Sequence, residues 1–300
     1  MKDYFGYEGK KCVVTGASSG MGKATVEMLV DLGAKVYAVD LNECNVNGIE
    51  KFLKCNLAKK EEIDDLFKDL PEKIDSFFGV AGLSGSKTDY MTTFNCNYTA
   101  NMYITLKYLN ERMEKGGTIA FVTSTAGLNW KSYKKEQNKV VHSKTWEEVE
   151  KLVMPLAKIA PATMAYMYSK RCLSQFICEQ AVEFGKKGIR MNNVMPGSTD
   201  TGMKDEFEKM AGGKEALLEE TGVAKRLATP EEMAKPLVFL NSDMATFISG
   251  IDLCVDSADN CMKILKLKKD KEAVPATNKL ILRIAKKMMD KGNKKLNEKN

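Results

Sequence analysis

KCVVTGASSGMG, residues 11–22, joins a strand, a glycine turn and the start of a helix without a break. Cys12, Val13 and Val14 form a continuous apolar run, as expected of a strand covered on both faces. Gly16, Gly20 and Gly22 follow, with Ser18, Ser19 and Met21 between them. Glycines in such a turn let the backbone approach a pyrophosphate, and the helix N-terminus offers free N–H groups to the anion. The helix from about Met21 to Leu32 stops at Gly33, a natural C-cap. The next strand, KVYAVD (35–40), ends in Asp40, 18 residues after Gly22. A glycine turn between strand and helix, followed by an acidic strand end, is the context a dinucleotide site requires. A carboxylate at position 40 can accept from both ribose hydroxyls and repels a 2′-phosphate. Leu41 and Asn42 are uncharged and Ser19 is not basic, so NAD is favoured over NADP.

Outward from this stretch, apolar runs alternate with helical patterns. FLKCNL (52–57), SFFGVAG (76–82), TIAFVTS (118–124), IRMNNVMPG (189–197) and IDLCVD (251–256) read as strands. Helical periodicity covers 60–70, 92–114, 164–186 and 230–241. Alternating βα units with continuous apolar strands predict an α/β fold, a doubly wound parallel sheet of the Rossmann type with about seven strands. Within the 300 residues, 44% are apolar, enough for a sizeable core. The net charge of +6 is unevenly spread. Residues 263–300 carry 13 Lys and Arg against 4 Asp and Glu, a net of +9, which leaves −3 for the preceding 262. A mildly acidic body argues against nucleic acid as a partner. One histidine, His142, excludes a multi-histidine metal site, and no metal is expected. Eight cysteines with no CxxC pair point to a reducing cytoplasm. The N-terminus lacks a signal-peptide run, and nowhere do 18 apolar residues occur together, so a soluble protein is expected.

AYMYSK (165–170) offers either a proton-transfer pair or an ordinary helix surface. Tyr166 and Lys170 are four apart and share a helix face, whereas Tyr168 points elsewhere and reads, with Ser169, as a packing residue. The TGxxxGxG spacing of the first turn together with YxxxK resembles the short-chain dehydrogenase/reductase family, over about Lys11 to Ser257. GVAG (79–82) is similar to the family's NNAG, and Asn97 in FNCNYTAN stands at its helix asparagine. VTSTAG (122–127) places Ser124 at the catalytic serine. MPGSTDT (195–201) resembles the motif that holds the nicotinamide carboxamide, and LCVDSA (253–258) the final VDGG. Val80 replaces an Asn, Asn56 replaces the Asp that contacts adenine, and Ser257 and Ala258 replace two glycines. The amide oxygen of Asn56 could still accept from the adenine amine.

The resemblance implies a set of roles. Tyr166 is the general acid/base, and a cation one turn on at Lys170 favours its phenolate, since a free phenol titrates near 10. Ser124 steadies the substrate oxygen. Lys170 also binds the nicotinamide ribose, and Asn97 holds a water that links Lys170 to solvent. Gly16, Ser18, Ser19, Gly20, Met21, Gly22, Asp40 and Leu41 bind the cofactor, as do Asn56, Leu57, Ala81, Gly82, Pro196, Gly197, Thr199 and Thr201, with Tyr166 and Lys170. The reaction implied interconverts a secondary alcohol and a ketone. A non-catalytic dinucleotide sensor is the rival from another class, but Ser, Tyr and Lys are all retained.

Two departures are informative. About nine residues separate Asp40 from the approach to the third strand, too few for a helix there. Ser124 lies 42 residues before Tyr166, far beyond the family's usual spacing. The extra segment, 128–163, holds a capping box, Thr145 with Glu148, and then Val149, Leu152, Val153 and Leu156 at helical spacing. A shortened crossover with such an insertion resembles the bacterial 3α-hydroxysteroid dehydrogenase/carbonyl reductase branch. The branch implies a hydroxysteroid or bile-acid-like substrate and a homodimer, the insertion covering a face used elsewhere for tetramers. A smaller aromatic or alicyclic alcohol is the alternative substrate. Residues 1–262 are expected to form the Rossmann domain, with 201–222 as a substrate lid carrying Met203 and Met210. Residues 263–300 are a basic tail. Within it, Leu280, Ile281, Ile284, Ala285, Met288 and Met289 form one apolar stripe, with Arg283, Lys286 and Lys287 off it. Such a helix can lie on an anionic membrane. Packing on the acidic body or a partner subunit is the favoured reading.

Overall fold

The computed structural model describes residues 3–269. Seven parallel strands form one sheet in the order β3-β2-β1-β4-β5-β6-β7. They are β1 Lys11–Thr15, β2 Lys35–Asp40, β3 Lys51–Lys54, β4 Ser76–Gly79, β5 Thr118–Val122, β6 Arg190–Pro196 and β7 Asp252–Val255. Each overlaps a stretch expected from the sequence, and β3 begins one residue earlier, at Lys51.

Side chains alternate across a strand, so neighbouring apolar residues enter different cores. Val13 and Phe77 face one core, where Phe67, Phe94, Tyr98, Cys172 and Phe176 meet them from helices Lys60–Asp69, 90–112 and Ala162–Gly185. Cys12, Val14 and Phe78 face the other, against Val26 and Leu29 of helix Gly20–Asp31 and Leu237 and Val238 of helix Pro230–Asn241. The unbroken apolar runs are thus a consequence of burial on both faces.

From β1 the chain winds outward through β2 and β3, then returns to β4 on β1's other side. This reversal opens a crevice at the carboxyl ends of β1 and β4, where α/β sheets take their ligands. Register pairs Thr15 with Gly79, so the turns after β1 and β4 meet at its floor. Gly16 adopts φ +73°, and a Cβ there would lie 2.8 Å from Ala81. Only glycine allows that backbone approach.

The connection from Asp40 to Lys51 contains no helix. The helix expected over 92–114 occupies 90–112 and contains two π-helical segments, Asn95–Thr99 and Ile104–Leu109. The expected insertion folds as a 3₁₀ turn, Trp130–Tyr133, and two helices, Lys134–Val141 and Trp146–Ala157. The Thr145–Glu148 capping box forms in both directions. Trp146, Val149, Val153 and Leu156 are buried and extend the first core, with Trp146 edge-on to Tyr103. Pro155 sits near the end of the second insertion helix, where little ladder remains to interrupt.

The boundary expected at 262/263 falls within a helix. Helix Asp259–Ile264 runs across it, and Lys263 and Lys268 both pair with buried Asp259. Ion pairs to a buried residue therefore continue to Lys268. The expected amphipathic helix of the tail lies outside the described residues. Among the described residues, no helix is long and apolar enough to cross a membrane.

Candidate active site

Residues from six turns converge on two adjoining clefts at the carboxyl edge of the sheet. The larger encloses about 560 Å³. Its floor is the Gly16–Gly22 loop, one end is Asp40, Leu41, Asn56 and Leu57, and Ala81 and Gly82 form the facing wall. The smaller, about 350 Å³, holds Ser124, Tyr166, Pro196, Gly197 and Thr199. Met21, Thr201 and Met203 line both. Every residue singled out as cofactor-binding lines one of the clefts except Lys170, which lies beneath them.

The larger cleft fits a dinucleotide on the chain's own evidence. Helix Gly20–Asp31 begins with neither a side-chain cap nor an acidic residue in its first turn. Its first N–H groups are therefore open to an anion from the cleft. Asp40 is held in place by backbone donors, Ser18 N to Oδ2 and Asn42 N to Oδ1, both at 3.0 Å. Each carboxylate oxygen retains a second lone pair for a ribose hydroxyl. Asn56 differs from the sequence expectation in one respect. Its Oδ1 already accepts from Ala58 N at 3.0 Å, capping the turn into helix Lys60–Asp69, so one lone pair remains for an adenine amine.

The smaller cleft gathers the residues expected to move the proton. Ser124 follows β5 and caps a 3₁₀ turn, its Oγ accepting from Ala126 N at 3.2 Å. Tyr166 and Lys170 sit one turn apart on helix Ala162–Gly185. The Lys170 ammonium lies 5.6 Å from the Tyr166 ring centre and donates to Val122 O at 3.0 Å. Only 3% of Lys170 is exposed, and burial pushes its amine down to about 8. A Cβ at Gly82 would stand 3.4 Å from Lys170 Nζ and 3.5 Å from Asn97 Oδ1. Both are ordinary contact distances, so the loop after β4 runs past the amine and the amide together.

Asn97 lies in the first π-helical segment, a distortion often found at functional sites. Its side chain pairs with Leu83 like a backbone peptide, accepting from Leu83 N at 2.8 Å and donating to Leu83 O at 2.9 Å. Its own carbonyl accepts from Asn101 Nδ2 at 2.9 Å. Asn97 thus ties the loop after β4 to the helix facing Lys170. Tyr168 packs against Phe94, and Ser169 donates to Tyr166 O, as their expected packing roles require. His142 is exposed and meets Glu179 at 3.0 Å.

Several site residues were not singled out individually by the sequence, although Phe207 and Leu217 lie in the expected lid. Phe207 sets its ring edge-on to Tyr166, centroids 5.4 Å apart. Met167 and Leu217 line the smaller cleft, while Thr88, Thr92 and Cys96 line the larger. None belongs to a fixed-spacing motif.

The family follows from this geometry and from comparison. Residues 10–134 match the model described as short chain dehydrogenase, and residues 153–257 match the one described as Enoyl-(Acyl carrier protein) reductase. A coniferyl-alcohol dehydrogenase of Pseudomonas sp. (strain HR199 / DSM 7063) is 33% identical over 254 residues, covering 82% of this chain and 95% of the relative. The chain belongs to the short-chain dehydrogenase/reductase family. A 3beta-hydroxysteroid dehydrogenase of Mediterraneibacter gnavus is 26% identical over 288 residues, covering 81% and 92%. The structure of the 3-alpha-hydroxysteroid dehydrogenase from Pseudomonas sp. B-0831, complexed with NADH, shares the fold with a TM-score of 0.68 at 19% identity, covering 87% of this chain and all of that one.

Proposed function

We propose that this protein is an NAD-dependent oxidoreductase that interconverts a secondary alcohol and a ketone on a bulky, ring-bearing substrate of the hydroxysteroid type. The observation that carries the reading is one cleft lined by Ser124 and Tyr166, with the Lys170 ammonium buried 5.6 Å from the tyrosine ring and a dinucleotide-sized cleft adjoining it. Bound NAD supplies the hydride acceptor in one direction and the donor in the other. Tyr166 takes the hydroxyl proton during oxidation and returns it during reduction. Lys170 stabilises the phenolate from below, in a site where burial strengthens each charge interaction. Ser124 donates to the substrate oxygen as charge develops there. Asp40 favours NAD by accepting from the ribose hydroxyls, and exposed Leu41 offers nothing to a 2′-phosphate.

Met167, Met203, Phe207, Met210 and Leu217 give the smaller cleft an adaptable apolar roof, which suits a large ring system. Residues 201–222 act as its lid. The relatives named for hydroxysteroids support this substrate class. The coniferyl-alcohol relative, at higher identity, favours a smaller aromatic alcohol as the second reading. Burial of the insertion against helices 90–112 and Ala162–Gly185 supports a homodimer, because that surface is already covered.

The test is NADH absorbance with a panel of 3α-, 3β-, 7- and 17-hydroxysteroids and simple cyclic and aromatic alcohols. Turnover at one steroid position is expected, falling by about 10²–10⁴ in Tyr166→Phe while NADH binding persists. Turnover of small alcohols alone would replace the substrate class. Cofactor binding with no turnover of any alcohol or ketone would favour the sensor.

A further inference from the structure

The segment after Thr201 carries two short helices, Lys204–Ala211 and Lys214–Glu219. The first buries none of its residues fully. A helix without a buried apolar face takes its position from particular side-chain contacts. Two neighbouring residues supply them in different directions. Glu206 Oε2 accepts from the hydroxyl of Ser84 and from that of Ser86, the latter at 2.7 Å, and its Oε1 pairs with Lys87 Nζ at 2.7 Å. The Glu206 side chain is only 13% exposed and Ser84 is buried. Phe207, about 100° further round the helix, lies edge-on to Tyr166. The 84–87 loop in turn rests on the start of the Tyr166 helix, where a Cβ on Gly85 would meet Ala162 O at 2.4 Å. A closed circuit results, from the loop after β4 through Glu206 and Phe207 to Tyr166 and back. Lys204, which pairs with Asp200 at 3.3 Å, stays within its own segment and does not reach across.

We propose that Glu206 is a positioning residue, a latch whose grip on Ser84, Ser86 and Lys87 holds the lid so that Phe207 lies on Tyr166 and seats an apolar substrate ring. The catalytic consequence rests on the proton-transfer role assigned to Tyr166. The placement of the lid does not.

The test uses the full chain, with Glu206→Ala, Glu206→Gln and the exchange pair Glu206→Lys with Lys87→Glu. Chymotrypsin cleavage at Phe207, a site that every variant keeps, reports without cofactor how often the lid opens. Glu206→Ala is expected to be cut about tenfold faster at an unchanged urea midpoint, with Glu206→Gln intermediate. Serine hydroxyls accept as well as donate, so the exchange pair should restore protection to within about threefold. In turnover, KM for a bulky apolar alcohol should rise about tenfold in Glu206→Ala, with a much smaller change for a small cyclic alcohol. Equal cleavage of wild type and Glu206→Ala would overturn the latch. Faster cleavage with KM raised equally for large and small alcohols would overturn its seating role. Should Glu206→Ala fail to fold, the comparison of Glu206→Gln with the exchange pair decides in the same way. A cleavage difference in a protein with no turnover at all would leave the latch standing and remove the proposed function instead.

Discussion

Replacing Lys170 with Met should make the ligand-free protein more stable while abolishing its chemistry. Lys170 is charged, buried and opposed by no described carboxylate; its ammonium has the Val122 carbonyl at 3.0 Å. Its amine is pushed from 10.5 down to about 8 by desolvation, which corresponds to about 3 kcal/mol of cost below pH 8. Met fills a similar volume without a charge, and loss of the hydrogen bond to Val122 O offsets about 1–2 kcal/mol. A net gain of about 1–2 kcal/mol at pH 7 is the outcome expected. The pH dependence fixes its origin. Above pH 8 the folded protein releases the Lys170 proton while the unfolded chain keeps it up to 10.5, so wild-type stability recovers relative to Met. The advantage of Met should therefore be full at pH 7 and shrink steadily towards pH 10. Urea unfolding of both proteins at pH 7, 8, 9 and 9.5, taken as a difference so that other titrating groups cancel, measures it. A less stable Met variant at pH 7, or a difference that does not change with pH, would refute the reasoning. Stability given up at one site for function is the pattern expected of a catalytic group.

Two further outcomes follow from other parts of the site. Asp40→Ser combined with Leu41→Arg should weaken NADH binding about tenfold and raise NADPH binding by at least as much, measured by fluorescence titration, because a carboxylate is replaced by a phosphate partner; an unchanged preference would detach Asp40 from the ribose. Ala258 holds φ +65° where a glycine would be unstrained, so Ala258→Gly should stabilise by about 1 kcal/mol in urea unfolding. Ser257→Gly should gain less, because the Ser257 hydroxyl accepts from Ala224 N at 3.1 Å and that bond would be lost; equal gains would contradict the account.

The contrast between Ser257 and Asp40 shows where sequence reasoning reaches. Asp40 was legible because it ends a strand at a fixed distance from a glycine turn, a relation set within one βα unit. Ser257 and Ala258 were visible only as departures from a pattern. Their left-handed backbone and the tie from Ser257 to the segment leaving the lid exist only once residues 224 and 257 are brought together. Thr145 and Glu148 were legible as a capping box for the same local reason as Asp40, although the surface their helix covers was not. Asn97 could be located by motif, yet its pairing with both backbone groups of Leu83 depends on a π-helical distortion that residue spacing does not announce.

By itself the sequence determined the seven-strand order of elements, the phosphate turn and the set of polar groups available for chemistry. The first two follow from periodicity, turn chemistry and spacing over a few residues, and the third from the resemblance to a family. Only the tertiary structure decided that Lys170 is buried beneath Gly82 beside Asn97, that Phe207 lies on Tyr166, and that Glu206 spans from the lid to Ser84, Ser86 and Lys87. These contacts join segments with no shared local signature. Their energy comes from burial and from hydrogen bonds that form only after the sheet has brought its loops to one edge.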